Sequence, residues 1–142
     1  WSQFVIQKYK KCKLLSIDLK QMEPVGNSYQ VIGDFNEESS KEKIINYFNE
    51  KVDLVMSDMA VNTTGNKNLD SLVTGELCLD ALIFAKKQLK PSGSFISKIF
   101  MGSSFNEIVG EAKLTFKETN IYKPPSSRKE SKESFIICKK LR

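Results

Sequence analysis

Val52-Asp53-Leu54-Val55-Met56, ending at Ser57-Asp58, and Ser94-Phe95-Ile96-Ser97-Lys98-Ile99-Phe100 are the two runs that decide the fold. Both are short and apolar, the signature of strands. Between them, from about Leu69 to Leu89, apolar residues recur at helical spacing, with Leu72, Val73, Leu82, Ala85 and Leu89 among the expected buried positions. Pro91-Ser92-Gly93 is expected to stop that helix. Strand, long helix, strand is the alternation of an α/β domain.

Working outward, the same alternation continues. Trp1 to about Lys10 reads as a helix, Leu14–Ile17 as a strand ending at Asp18, and Tyr29–Ile32 as a strand ending at Gly33-Asp34. Glu38 to about Phe48 reads as a helix with Ile44, Ile45 and Phe48 on one face. Asn62 to Asn68 is a polar stretch expected to loop. Beyond Phe100 follow a helix from about Ser104 to Phe116, a strand near Glu118–Tyr122, a polar loop at Pro124–Ser131 and a last strand at Ser134–Cys138. The expected fold class is a doubly wound α/β sheet, in a single domain over residues 1–142.

Composition narrows the chemistry. With 40% apolar and 27% charged residues, the 142-residue chain can bury a core, and no run is apolar enough for a membrane span. There is no histidine, which removes Ser-His and Cys-His nucleophile pairs and histidine-ligated zinc. Cys12, Cys78 and Cys138 are scattered without metal-ligand spacing, so no metal is expected; they suit buried free thiols in a reducing, cytoplasmic setting. The net charge of +5 is uneven: residues 113–142 carry nine Lys/Arg against Glu118, Glu130 and Glu133. A basic end on a near-neutral body points to a polyanion such as RNA, or to no more than a solvated face.

Three successive strands end in an aspartate, Asp18, Asp34 and Asp58. Each alone is a common turn former; together they suit a ligand-lined rim at the carboxyl ends of parallel strands. An ionised carboxylate only accepts hydrogen bonds, which suits ribose hydroxyls of either a nicotinamide dinucleotide or S-adenosylmethionine. Lys98 interrupts an apolar strand. Two readings stand: an edge strand from which Lys98 snorkels into solvent, or a desolvated lysine near Asp58. No G-x-G-x-x-G or Walker-type phosphate loop occurs.

Trp1-Ser2-Gln3, Asp18, Gly33-Asp34-Phe35, Ser57-Asp58-Met59-Ala60-x-Asn62, Pro91-x-Gly93-x-Phe95-x-x-Lys98 and Pro125-Ser126-Ser127-Arg128 followed by Glu133 occur in order along the whole chain. In these motifs the chain resembles the RlmE (FtsJ, RrmJ) family of ribosomal RNA methyltransferases. The resemblance implies a Rossmann-like, S-adenosylmethionine-dependent fold, mostly parallel with the last strand antiparallel, seven-stranded in the family and six-stranded here. It implies 2′-O-methylation of a uridine in large-subunit (23S) ribosomal RNA, met within the assembled 50S subunit, by a cytoplasmic monomer. By motif, Asp18 would bind the cofactor ribose, Asp34 and Phe35 its adenine end, and Trp1 would edge the cofactor loop. Asp58 would face the methionine amino group and join Lys98 and Glu133 as the catalytic set, with the basic C-terminal third gripping phosphates around the target nucleotide.

Three departures accompany the resemblance. The family's first strand, glycine-rich loop and N-terminal catalytic lysine have no counterpart, Val61 stands for a proline, and Ser92 for a glycine. The expectation is a fragment of a longer protein that is inactive by itself and has a pairing gap at the centre of its sheet. A non-catalytic RNA-binding remnant and a nicotinamide-dependent oxidoreductase are the alternatives.

Overall fold

The computed structural model describes residues 1–60, 65–125 and 133–142. Its elements run α1 (Ser2–Lys8), β1 (Leu15–Asp18), β2 (Tyr29–Ile32), α2 (Glu38–Phe48), β3 (Val52–Ser57), α3 (Lys67–Gln88), β4 (Leu89–Phe100), α4 (Phe105–Thr115), β5 (Phe116–Tyr122) and β6 (Glu133–Leu141). Each expected helix and strand is present. The six strands form two sheets rather than one, β1-β2 and β3-β4-β6-β5. They belong to two compact units, Trp1–Asn49 and Glu50–Arg142.

In the first unit β1 and β2 run parallel, Leu15 beside Tyr29 through Asp18 beside Ile32. The Gly33 N–H extends the ladder by donating to the Asp18 carbonyl at 2.9 Å. Helix α2 buries Ser40 and Ile44. Ile45, expected on the same face, is 40% exposed, because it lies about 100° around the helix from Ile44. Asn49 ends the helix in the left-handed conformation (φ 53°), and its N–H bonds the Ile45 carbonyl. Tyr29 stacks on Tyr47 at 4.7 Å between ring centroids.

In the second unit β3 is parallel to β4, and β6 lies between β4 and β5, antiparallel to both. Strands β3, β4 and β5 therefore share one direction and only the last strand opposes them, as the resemblance implied. Helix α3 buries Thr74, Cys78, Ala81, Leu82, Ala85 and, just past its end, Leu89. Leu72 is 45% exposed instead of buried. The buried stripe starts with a threonine and a cysteine, and ranking by hydrophobicity passes both over. This stripe covers the β4 face that carries Phe95, Ser97 and Ile99, with Cys78 reaching the Ser97 hydroxyl. Phe95 also stacks on Phe116, 6.3 Å away.

Pro91-Ser92-Gly93 ends α3 as expected but lies within β4 rather than before it. The β3/β4 register shifts between Val52 and Leu54, pairing Val52 with Leu89 and then Leu54 with Ser94. The extra residues on β4 bulge there, where Pro91 has no N–H to contribute. A Cβ on the buried Gly93 would meet Leu89 Cδ2 and the Lys90 carbonyl at 2.9 Å, so the bulge requires glycine.

Candidate active site

Within the first unit, the parallel pairing brings Asp18 and Asp34 to the same end, the carboxyl ends of β1 and β2. Each carboxylate shapes its own turn. Asp18 Oδ1 accepts from the Lys20 N–H at 3.2 Å and Asp34 Oδ1 from the Asn36 N–H at 2.9 Å. These are the local bonds expected of turn-forming aspartates, and each leaves the second carboxylate oxygen available as an acceptor. Asp18 is exposed and Asp34 half-buried. Phe35 is half-buried, with Lys41 Nζ 5.1 Å from its ring centroid. Trp1, 49% exposed, is the N-cap residue of α1; its carbonyl accepts from the Val5 N–H at 3.0 Å.

Within the second unit, Ser57 pairs with Ser97, so Asp58 lies one step beyond β3 at the level of Lys98. On the other side of β4, Lys98 pairs with Phe135 and Phe100 with Glu133. Strand β4 is thus hydrogen-bonded on both flanks, which overturns the edge-strand reading of Lys98. The lysine lies on the half-buried face, between Ile96 and Phe100 along its own strand and beside Phe135 across the sheet. Its side chain is 22% exposed, and Nζ lies 3.5 Å from Glu133 Oε1. Glu133, the first residue of β6, is 46% exposed at its side chain. Asp58 is exposed, and among the described residues it makes no ion pair with Lys98.

The structure therefore assembles Lys98 with Glu133 in contact, Asp58 at their level, and Asp18 with Asp34 on the other sheet. The motif residues Asn62, Ser126, Ser127 and Arg128 lie outside the described residues. Two residues that sequence reasoning passed over flank Lys98 in register: Phe135 and, one strand further, the half-exposed Tyr122. Their only sequence signal is strand alternation, which needs the register to become a position.

A hydroxyl placed here would meet an amine held by a carboxylate on a rigid central strand, with a second carboxylate at the same level. Such a set can orient a hydroxyl, accept its proton and stabilise negative charge on its oxygen. Two parallel strands ending in carboxylates are in turn suited to ribose hydroxyls. These are the parts of a group-transfer enzyme on an α/β scaffold, and the chain belongs to the FtsJ-like methyltransferase family, whose pattern matches residues 1–141.

The chain is 57% identical over all 142 of its residues to the ribosomal RNA large subunit methyltransferase E of Pelagibacter ubique, 70% of whose length it covers. It is 47% identical over 126 residues to the protein of the same name from Rickettsia akari, where the match covers 89% of this chain and only 56% of the relative. Among solved structures, a ribosomal RNA methyltransferase from Plasmodium falciparum superposes with a TM-score of 0.86 at 29% identity, over 99% of this chain and 80% of that one. The oxidoreductase alternative falls with the family assignment.

Proposed function

We propose that this protein methylates the 2′-hydroxyl of a uridine in large-subunit ribosomal RNA, with S-adenosylmethionine as donor. The contact between Lys98 and Glu133 at the level of Asp58 carries the reading, supported by family membership and by the names of the relatives. The family match runs across both compact units, which supports treating residues 1–142 as parts of one methyltransferase domain.

The available oxygens of Asp18 and Asp34 fit the donor. A carboxylate accepts from the two hydroxyls of a ribose, or from an adenine amino group, with no competing N–H of its own. Phe35 offers an aromatic surface to the adenine, Trp1 an edge contact, and Asp58 a counter-charge to the methionine ammonium. When bound, S-adenosylmethionine supplies an activated methyl group on a sulfonium.

The chain's own task is alignment and proton removal, because a ribose hydroxyl is a weak nucleophile while protonated. Lys98 is the hydroxyl's partner. As a neutral amine it takes the proton; as an ammonium it donates to the oxygen and stabilises the charge developing there. Glu133, 3.5 Å from Nζ, fixes where that amine points. Phe100 and Phe135 beside it restrict water at the reacting oxygen.

The test is transfer of labelled methyl groups from S-adenosylmethionine by the whole gene product, offered large and small ribosomal subunits, as free RNA and as assembled particles, separately. Label is expected in the large-subunit RNA alone. Equal labelling of both, or of neither, contradicts the reading.

A further inference from the structure

Among the described residues, most of the bases near the C-terminal end of the sequence lie away from Lys98. Strand β6 runs opposite to β4, so Glu133 lies beside Phe100 whereas Lys139 lies beside Ser94, toward the start of β4. Six residue steps along β6 separate Glu133 from Lys139, roughly 20 Å. Lys117, at the start of β5, is beside that same end, where Phe116 pairs with Leu141. Arg142 also belongs there: its backbone N–H bonds the Thr115 carbonyl and its Nε donates to the Lys113 carbonyl at 2.7 Å. Lys86 and Lys87, in the last turn of α3, arrive at this end because β4 begins at the next residue but one. Of the bases in residues 113–142 that the structure describes, only Lys123 follows β5 to the Lys98 end.

Neutralisation within the fold accounts for part of this charge. Lys90 is matched by Asp53 at 3.2 Å and Lys140 by Glu118 at 2.8 Å. Lys51 donates to the Lys87 carbonyl. The C-termini of α3 and α4 both point to this end, but each helix terminus carries only about half a negative charge, roughly one charge in total. Lys86, Lys87, Lys113, Lys117, Lys139 and Arg142 make no ion pair with a carboxylate among the described residues. All six are exposed. Glu107 and Glu111 line the same surface as Lys113 and Arg142, and Glu50 precedes β3; six cations against three carboxylates and about one charge from the helix termini leave a positive surplus.

We infer that this end of the four-stranded sheet is a second phosphate-binding surface, and that it holds an RNA stem flanking the target nucleotide rather than the nucleotide itself. The inference rests on the proposed RNA substrate. Its distance from Lys98 and Glu133 leaves room for several base-pair steps of an RNA stem between the two places. Its chemistry selects backbone over bases, since among the described residues the exposed large hydrophobic side chain of α4 at this end is Leu114, which offers no ring for base stacking. An RNA duplex held through its phosphates is the partner that such a surface fits.

The experiment measures affinity of the whole gene product for an RNA hairpin of about 20 base pairs and for a five-nucleotide oligouridine, over a range of salt. The doubly substituted Lys117→Gln/Lys139→Gln protein is compared with the unsubstituted one. Losing two phosphate contacts should weaken hairpin binding about tenfold or more at 0.1 M salt and flatten the slope of log K against log salt by about two. Oligouridine binding and S-adenosylmethionine binding should not change. An unchanged hairpin affinity and slope, an equal loss for both RNAs, or no hairpin binding by the unsubstituted protein overturns the surface. Methyl transfer is scored separately: salt-dependent hairpin binding without any transfer would sink the proposed function and leave this surface standing.

Discussion

Lys98 Nζ and Glu133 Oε1 lie 3.5 Å apart because β6 returns antiparallel against β4 and begins with the glutamate two residues before the lysine's own partner, Phe135, on the same face of the sheet. A partly exposed pair at that distance contributes about 1 kcal/mol or less to stability. Holding the lysine in place is the better account of its value. On the proposed function, Lys98→Ala should lower methyl transfer by about 100-fold or more. Calorimetric titration should show S-adenosylmethionine affinity nearly unchanged. Turnover within a few-fold of the unsubstituted protein would remove Lys98 from the catalytic set.

Asp18 should behave in the opposite way. Losing hydrogen bonds from a charged acceptor costs about 1.5–3 kcal/mol, so Asp18→Ala should weaken S-adenosylmethionine binding roughly 10- to 100-fold. Asp18→Asn retains an oxygen for the Lys20 N–H and isolates the loss of charge from the loss of the turn. Equal affinity in all three proteins would take Asp18 out of the cofactor site.

Much of this arrangement was legible in the sequence. Asp18, Asp34 and Asp58 follow short apolar runs, and an apolar run followed by a turn former marks the carboxyl end of a strand wherever it folds. Lys98 was conspicuous because an ammonium inside Phe95–Phe100 needs a reason. Its neighbours were not legible. That Glu133 reaches it depends on β6 opposing β4, a non-local pairing that period and propensity do not encode. The same reversal carries Lys139 and Arg142 away from Lys98, so the described bases of a stretch expected to surround the target nucleotide lie mostly at the other end of the sheet. Pro91–Gly93 was legible as the stop of α3, but its place inside β4, where a bulge absorbs it, was not.

The loop after β4 depends on a close approach to α3. A Cβ on Gly102 would meet Ser71 Oγ at 1.9 Å and Ser71 Cβ at 3.0 Å. Gly102→Ala should therefore destabilise the protein by about 1–3 kcal/mol, as overpacking does. Among the described residues Ser71 Oγ is buried without a hydrogen-bond partner, so Ser71→Ala alone should cost little. The double variant should recover part of the loss in denaturant unfolding, a coupling expected only of side chains in contact. Strictly additive effects would deny the contact.

Alkaline stability should report on the core of the second unit. Burial pushes the Cys138 thiol from 9.0 up to about 12, and the residue is 0% exposed. The folded state keeps this proton while the unfolded chain releases it, so its contribution is full below pH 9 and declines as pH rises from there toward 12. The ceiling of that contribution is about 4 kcal/mol. Unfolding free energy should fall across this window, and Cys138→Ala should flatten the decline. A decline equally steep in the variant would place its origin elsewhere.

The central claim is that the methyl group goes to a ribose oxygen, and alkaline hydrolysis of the labelled large-subunit RNA tests it most directly. A 2′-O-methyl group removes the hydroxyl that cleaves the adjacent phosphodiester, so the account predicts that all label is recovered in one alkali-resistant dinucleotide beginning with uridine. Label recovered in single nucleotides would mean that a base is methylated, and would contradict the account.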